Sequence, residues 1–217
     1  MNSINKIISL LRKEYGVLET PLDHKNPLQL LIAVILSAQC TDERVNQVTP
    51  KLFKRYKTAK DFAKSSQEEL ESYIFSTGFY KNKAKNIILC CKDIVEKHNG
   101  NVPQSMEELV LLAGIGRKTA NVVLSQLYQK HEGIVVDTHV GRLAVRLGLV
   151  STENTKDAIK IERELMQIVP RKEWDQFSLQ LIFHGRAVCT AKKAYCDRCV
   201  LNKLCPSAKK IPVYMKG

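Results

Sequence analysis

The sequence predicts an all-α protein, because apolar residues recur at helical spacing along most of its 217 residues. No segment shows the sustained apolar–polar alternation that is typical of a half-buried β-strand. Two serines are each followed three residues later by glutamate, a pattern that starts helices. The length allows one large domain or two small ones, and we expect two helical lobes that share one cleft.

The first helix is indicated by apolar residues at helical spacing near the N-terminus, among them Ile4, Ile7 and Leu11. Charged residues interrupt them, which is unlike the apolar core of a signal peptide. The longest apolar run, Leu30 to Leu36, is far shorter than the ~20 residues that cross a bilayer. This run therefore predicts a buried helix rather than a membrane span.

Later helices are marked by their start and stop signals. Ser66-x-x-Glu69 and Ser105-x-x-Glu108 are capping-box patterns, so we expect helices to begin near both serines. A helical stretch that begins near Thr155 is expected to end at Pro170. Further breaks are predicted at Pro50, Gly133 and Gly148.

The segment from 81 to 98 carries an apolar stripe at helical spacing, and Asn99-Gly100 supplies its stop signal. Cys91 lies in this stripe and is predicted to be a core residue. Its neighbour Cys90 needs no role beyond packing as a small hydrophobe.

The charge balance points to a polyanionic partner. The chain has 34 Lys and Arg against 22 Asp and Glu, a formal net charge of +12. Nucleic acid is the commonest partner of so basic a protein. A basic surface that is merely well solvated is the alternative, and charge alone does not decide between the two.

Four cysteines near the C-terminus have the spacing Cys189-x6-Cys196-x2-Cys199-x5-Cys205. Four thiolates in so short a segment suit either a tetrahedral zinc ion or an iron–sulfur cluster, and the spacing does not choose between them. Disulfides are the weaker interpretation, because the chain has an odd number of cysteines, seven, and no signal-peptide pattern.

Gly114-Ile115-Gly116 predicts a tight hairpin between two helices. Such a turn presents backbone N–H groups beside the positive end of the second helix, where they bind phosphate without reading sequence. A plain interhelical turn is the alternative. Arg117 and Lys118 follow directly; both could neutralise phosphate, or Lys118 could act as a covalent nucleophile if the site favours its neutral amine.

Asp137 follows the apolar Ile134-Val135-Val136 and precedes a helical pattern, so its simplest role is that of an N-cap. That interpretation requires no catalysis.

Five motifs follow one another along the chain: Ser37-Ala38-Gln39-x-Thr41-Asp42, Leu112-x-Gly114-Ile115-Gly116-Arg117-Lys118-Thr119-Ala120, Val136-Asp137-Thr138-His139-Val140, His184-Gly185-Arg186 and the four cysteines. Their identity, order and spacing resemble the endonuclease III family of helix-hairpin-helix DNA glycosylases, and the resemblance covers nearly the whole chain. One departure is Ala113, which stands where the family usually has proline; we do not expect this change to abolish phosphate binding.

The resemblance implies a role for each candidate residue. Lys118 is expected to be the nucleophile and Asp137 its assisting carboxylate, and the four cysteines are expected to hold a [4Fe–4S] cluster. Gln39 is expected to enter the gap left by an extruded base, and Phe79 to wedge between bases of the opposite strand. The expected phosphate contacts are Gly114, Gly116, Arg117, Lys192 and Lys193.

The implied function is that of a bifunctional DNA glycosylase and AP lyase of base excision repair, which excises oxidised pyrimidines and cleaves the strand 3′ to the abasic site. Residues 1–20 and 133–217 are expected to form an iron–sulfur cluster domain, and residues 21–132 a six-helix domain with the helix-hairpin-helix at about 106–128. Double-stranded DNA with damaged bases or abasic sites is the expected partner, bound across the mouth between the lobes.

We expect a monomer, located in the cytoplasm with the nucleoid if the source is prokaryotic. Two alternatives stay open at this point. One is a monofunctional adenine-type glycosylase of the same fold, although such proteins usually lack the hairpin lysine and carry a further C-terminal domain. The other is a non-catalytic, zinc-stabilised DNA-binding module.

Overall fold

The structure, a computed structural model, describes residues 3–209. Within that range the secondary structure is helical, apart from one isolated β-bridge between Cys189 and Ala194. The α-helices are α1 Ser3–Tyr15, α2 Pro27–Ser37, α3 Asp42–Arg55, α4 Ala59–Ala63, α5 Gln67–Ile74, α6 Tyr80–Lys97, α7 Met106–Leu109, α8 Arg117–Tyr128, α9 Thr138–Arg146, α10 Ala158–Ile168 and α11 Trp174–Ala187. Short 3₁₀ helices span Phe75–Thr77, Arg171–Glu173, Asn202–Leu204 and Pro206–Lys209. The predicted all-α class is confirmed.

The chain divides into two compact units. One, which we call the hairpin unit, is Thr20–Glu132; the other, the cysteine unit, joins Met1–Glu19 to Gly133–Gly217. Of the predicted cluster domain, residues 1–2 and 210–217 lie outside the described residues. The described part of the hairpin unit contains six helices of five or more residues and the single turn α7.

Serine caps start α5 and α7, as the capping patterns predict. The side chain of Ser66 accepts a hydrogen bond from the N–H of Glu69 at 3.1 Å, and that of Ser105 accepts one from Glu108 at 3.3 Å. Each cap satisfies one of the N–H groups that a helix start leaves without an intrahelical partner.

The core of the hairpin unit is built around α2. Its residues from Leu30 to Leu36 are all buried, and the helix packs against α3, α6 and α8. Cys90 and Cys91 of α6 are fully buried in the same core, which confirms that they are packing residues. Burial raises the pKa of the Cys90 thiol to about 12, so this thiol is protonated and inert at neutral pH.

The core of the cysteine unit joins the two ends of the chain. Ile4, Ile7 and Leu11 of α1 are buried in one cluster with Phe177 and Leu181 of α11. The sequence separates these helices by more than half the chain, yet α1 and α11 are in contact. No helix within residues 3–209 is long and apolar enough to cross a membrane.

The break predicted at Pro50 is wrong, because α3 continues through this residue. Proline in a helix interior removes one backbone hydrogen bond and costs about 3 kcal/mol. The apolar face of α3 offsets that cost: Val45, Val48 and Leu52 are all buried. Tertiary packing therefore overrides the local signal.

Candidate functional site

The hairpin between α7 and α8 turns at Gly114. Its φ of +79° lies in the left-handed region that favours glycine. A Cβ at this position would also lie 2.9 Å from Cβ of Asn86 in α6. The turn is closed by the N–H of Ile115, which donates to the carbonyl of Leu112 at 3.1 Å. Glycine is required here by both backbone conformation and close packing.

Gly116 is the N-cap of α8, and no side chain caps this helix. The carbonyl of Gly116 accepts the N–H of Ala120 at 2.9 Å. A Cβ added at Gly116 would meet no atom within 4 Å, so the space beside the helix start is open. An uncapped N-terminus presents its first N–H groups and its positive dipole end to this space, which is the geometry that binds phosphate.

Lys118 lies in the first turn of α8, and both it and Arg117 are exposed. The guanidinium of Arg117 donates to the carbonyl of Glu132 at 3.3 Å. The predicted phosphate-binding glycines, the arginine and the lysine therefore share one hairpin. Any ligand at the helix start lies beside both basic side chains.

Asp137 caps the N-terminus of α9. Its Oδ1 accepts hydrogen bonds from the N–H groups of His139 at 2.8 Å and Val140 at 2.9 Å. The N-cap interpretation is therefore confirmed for the described structure. The side chain is partly exposed, and the cap uses one of its two oxygens. An N-cap carboxylate of this kind can also act on a ligand.

Gln39 and Phe79 lie in two separate turns of the hairpin unit, and both have left-handed backbone conformations. Their φ angles are +53° and +49°. Gln39 is exposed, and 62% of the Phe79 surface is open to solvent. Phe79 is therefore not a core residue, and its exposed ring is available to a ligand.

The four cysteines line one pocket of the cysteine unit. Within residues 3–209, no group of three or more His, Cys, Asp or Glu side chains is placed so that it could hold a metal ion. The donors are nevertheless suited to a metal centre, because thiolates are soft ligands and these four face the same space. Burial raises the pKa of Cys199 to about 11.

Arg146 at the end of α9 contacts two of the four cysteines. Its guanidinium donates to Sγ of Cys189 at 3.1 Å and to the carbonyl of Thr190 at 2.9 Å. Its own carbonyl accepts from Sγ of Cys205 at 3.3 Å. A cation against one sulfur compensates part of the negative charge that four thiolates would bring together.

His184 connects a third cysteine to the N-terminal helix. Its Nδ1 lies 2.7 Å from the hydroxyl of Tyr15, and its Nε2 lies 3.2 Å from Sγ of Cys199. Burial lowers the pKa of His184 to about 4, so the ring is neutral at pH 7. Burial also raises the pKa of Tyr15 to about 12. The protonated hydroxyl can therefore donate to Nδ1, which leaves Nε2–H to donate to the sulfur.

The loop between the first two cysteines is short and closed on itself. The hydroxyl of Thr190 accepts the N–H of Lys193 at 2.9 Å and donates to the Lys193 carbonyl at 2.7 Å. Lys192 and Lys193 are both exposed, and the ammonium of Lys193 lies 5.0 Å from the ring centroid of Tyr195. The loop thus presents two lysines from a fixed backbone.

The side chain of His139 lies between α9 and α11, against Arg142 and Gly185. Its Nδ1 lies 3.1 Å from a guanidinium nitrogen of Arg142, and its Cβ would lie 2.9 Å from a Cβ added at Gly185. Burial lowers the pKa of His139. The side chain therefore packs α9 against α11.

The predicted site residues fall into both units. Lys118, Arg117, the two glycines, Gln39 and Phe79 belong to the hairpin unit, whereas Asp137, the four cysteines, Lys192 and Lys193 belong to the cysteine unit. The expected nearness of Lys118 and Asp137 stays a prediction.

Sequence reasoning did not single out Arg142, Arg146 or Tyr15. Arg142 donates to the carbonyls of Gly185 at 2.9 Å and of Cys189 at 3.1 Å. The available signal was the i, i+4 spacing of the two arginines, which places them on one face of α9. Tyr15 gave no signal, because its partner lies in α11.

An all-α fold with a glycine hairpin that leads into an uncapped helix start defines the helix-hairpin-helix class of DNA-binding proteins.

Comparisons with known proteins agree with this class. The sequence model of HhH-GPD superfamily base excision DNA repair proteins matches residues 32–171. The endonuclease III of Synechocystis sp. is 52% identical over 204 residues, which cover 94% of this chain and 92% of the relative. That of Haemophilus influenzae is 42% identical over 206 residues, or 95% of this chain and 96% of the relative.

A solved structure of a trapped endonuclease III–DNA covalent intermediate matches with a TM-score of 0.89 at 42% identity, over 97% of this chain and 98% of that one. The chain therefore belongs to the endonuclease III family, within the HhH-GPD superfamily.

The Asp137 cap leads to a stability prediction. Asp137→Ala removes the acceptor of two N–H groups and should lower the free energy of unfolding by about 1 kcal/mol, whereas Asp137→Asn should change it by only a few tenths, since asparagine caps as well as aspartate. Urea denaturation followed by circular dichroism measures both. Equal stability of the alanine variant and the native protein would contradict the cap's contribution.

Proposed function

We propose that this protein is a bifunctional DNA glycosylase and AP lyase that excises oxidised pyrimidines from duplex DNA. The observation that carries the proposal is the exposed Lys118 in the uncapped first turn of α8, directly after the hairpin glycines. Membership of the endonuclease III family supports the activity, and the structural match to a trapped endonuclease III–DNA covalent intermediate supports a covalent step.

Lys118 supplies the nucleophile. Its neutral Nζ attacks C1′ of the damaged nucleotide, and the N-glycosidic bond breaks with its electron pair passing to the base, which takes up a proton. Opening of the sugar ring gives an imine between Nζ and C1′. Removal of a proton from C2′ then expels the 3′ phosphate with the electron pair of the C3′–O bond, and this β-elimination cleaves the strand.

An ammonium cannot attack C1′, so the site has to favour the neutral amine. Lys118 is exposed in the first turn of α8, so its Nζ is open to a ligand at the helix start.

Asp137 assists the chemistry from the N-terminus of α9. Its carboxylate either accepts the proton that Lys118 gives up or stabilises the cationic sugar in the transition state. Because Oδ1 already holds two backbone N–H groups, the orientation of the carboxylate is fixed before the substrate arrives.

Phosphate contacts hold the duplex. We assign these phosphate contacts to the first N–H groups of α8 and to three exposed basic side chains, Arg117, Lys192 and Lys193. These contacts do not read sequence, which suits an enzyme that must find damage anywhere in DNA. The net charge of +12 adds a long-range attraction.

Gln39 and Phe79 stabilise the duplex when the damaged base leaves the stack. Rotating a nucleotide out of duplex DNA costs a few kcal/mol, and the cost is least for a damaged base. Both side chains project from exposed turns, which supports Gln39 as the residue that fills the gap and Phe79 as the wedge on the opposite strand.

Cys189, Cys196, Cys199 and Cys205 would hold a [4Fe–4S] cluster. Their shared pocket supports this assignment, and membership of the endonuclease III family favours an iron–sulfur cluster over the zinc alternative. The cluster, when bound, supplies cross-links that fix the loop from Thr190 to Lys193 against the protein, since the lysine chemistry requires no electron transfer. Arg146 and His184 donate to two of its thiolates.

The monofunctional alternative is disfavoured by Lys118 itself. The relatives compared are bacterial, and we therefore propose that the protein acts in the cytoplasm at the nucleoid, as a monomer.

Borohydride trapping tests the nucleophile. A duplex with one thymine glycol should give a stable protein–DNA crosslink with the native protein, because borohydride reduces the imine. Lys118→Ala should give none, and its single-turnover excision should fall by a factor of about 10² or more. Lys192→Ala is the matched control and should crosslink like the native protein, with weaker binding at high salt. A crosslink that persists in Lys118→Ala would overturn the assignment.

Absorbance and metal analysis test the cofactor. Purified native protein should be yellow-brown, with a broad band near ~410 nm and equal amounts of iron and sulfide, because iron–thiolate charge transfer absorbs there. Cys199→Ser should lose much of this band, whereas the core variant Cys91→Ser should keep it. A colourless native protein that contains one zinc ion would favour the zinc-stabilised alternative.

A further inference from the structure

Lys83 is a buried lysine in the first turn of α6. Only 5% of its surface is exposed, and it lies on the same helix face as the fully buried Ile87 and Cys90. Lysine is almost never buried so deeply unless its charge is compensated, because the ammonium loses its hydration. No carboxylate in the described structure forms an ion pair with it.

Two backbone carbonyls compensate the charge. The Nζ of Lys83 donates to the carbonyl of Leu36 and to that of Thr77, each at 2.8 Å. Leu36 lies in the last turn of α2, and Thr77 ends the 3₁₀ helix Phe75–Thr77. Carbonyls at a helix C-terminus have no intrahelical partner and carry partial negative charge, so a cation is favourable there.

Each of these carbonyls lies just before one of the two side chains assigned to the DNA duplex. Leu36 precedes the turn that carries Gln39, and Thr77 precedes the turn that carries Phe79. Both turns end in left-handed backbone conformations, with φ angles of +53° and +49°. Such conformations persist where surrounding contacts impose them.

We infer that Lys83 is the positioning residue that sets the distance between the Gln39 and Phe79 turns, and so enables base extrusion. The inference rests on the proposed function, and it adds Lys83 as the residue that links the two side chains that enter the duplex, Gln39 and Phe79. One ammonium joins the Gln39 turn to the Phe79 turn, which is distant in sequence. The described hydrogen bonds include no direct one between these two turns.

The expected effect is specific to extrusion. Gln39 and Phe79 must act together on opposite strands, because one fills the gap while the other holds the neighbouring bases apart. Without the ammonium, two buried carbonyls lose their donor and the two turns separate or admit water. Phosphate binding by the hairpin does not involve Lys83 and should be unchanged.

Lys83→Met tests the inference, since methionine keeps much of the side-chain length and removes the charge. The matched control is Lys92→Met, an exposed lysine on α6 about 13 Å further along the helix. Two substrates are compared in single-turnover assays. One is a duplex with a thymine glycol, which requires extrusion; the other is a single-stranded oligonucleotide with an abasic site, which does not.

Lys83→Met should excise the lesion from the duplex about tenfold or more slowly, a loss typical of a charge-assisted hydrogen bond. Its crosslinking to the single-stranded abasic site should stay within about twofold of native, and Lys92→Met should be near native on both substrates. Equal losses of Lys83→Met on both substrates, or no loss on either, would overturn the inference.

A chemistry-free measurement separates this inference from the proposed function. A 2-aminopurine placed beside a stable abasic analogue in a duplex fluoresces when it unstacks. Native protein and Lys92→Met should raise its fluorescence, whereas Lys83→Met should raise it much less at saturating protein. If the native protein unstacks the base but cleaves nothing, the proposed chemistry fails while the role of Lys83 stands.

A double-mutant cycle excludes a general loss of structure. Lys83→Met should lower the excision rate by a much smaller factor in a Gln39→Ala/Phe79→Ala background than in the native background, because the two side chains that Lys83 positions are already absent. An unchanged cost would contradict the positioning role. If Lys83→Met does not fold, Lys83→Arg with Lys92→Arg as control gives the same comparison, and a loss confined to the duplex is again the expected result.

Discussion

The burial of α2 is the constraint on which the hairpin unit depends. Its side chains from Leu30 to Leu36 are all buried, and each large aliphatic side chain contributes about 1.5–3 kcal/mol when removed from water. α8 packs on this helix through Ala120, Val123 and Leu124. A helix held by its apolar face has a fixed N-terminus, so the backbone N–H groups that the hairpin leaves uncapped keep one orientation. The C-terminus of α2 carries the Gln39 turn, so one buried helix supports both segments that we propose to contact DNA.

In the cysteine unit the short helix α9 has the equivalent role. Asp137 caps its N-terminus, and Arg146 at its last residue contacts Cys189 and Cys205. Nine residues span about 13 Å, so the carboxylate and the sulfur pocket are the two ends of one rigid element. A group bound by the cysteines would therefore hold in place both the lysine loop and the helix that orients Asp137. The proposed cluster would then have a structural task that requires no electron transfer.

Most of the local signals were readable from the sequence, because they act over three or four residues. The serine caps, the Asp137 cap and the hairpin glycines are of this kind. The resemblance to a known family added the roles that we propose for Lys118 and the cysteines. Pro50 and Lys83 were not readable in the same way. At both positions long-range contacts prevail over the local preference of the residue. The buried side chains of α3 offset the cost of a proline inside the helix, and the carbonyls of Leu36 and Thr77 accept hydrogen bonds from the buried ammonium of Lys83. The same limit applies to Tyr15, whose partner His184 is far along the chain.

The most direct test of the account is to locate the sugar adduct within the protein. After borohydride reduction and digestion of both partners, peptide mass spectrometry identifies the residue whose mass has increased by that of the reduced sugar remnant. If Lys118 is the nucleophile, it is the single modified site. An adduct on Lys192, Lys193 or another amine, with Lys118 unmodified, would contradict it and would reduce the hairpin lysine to a phosphate contact.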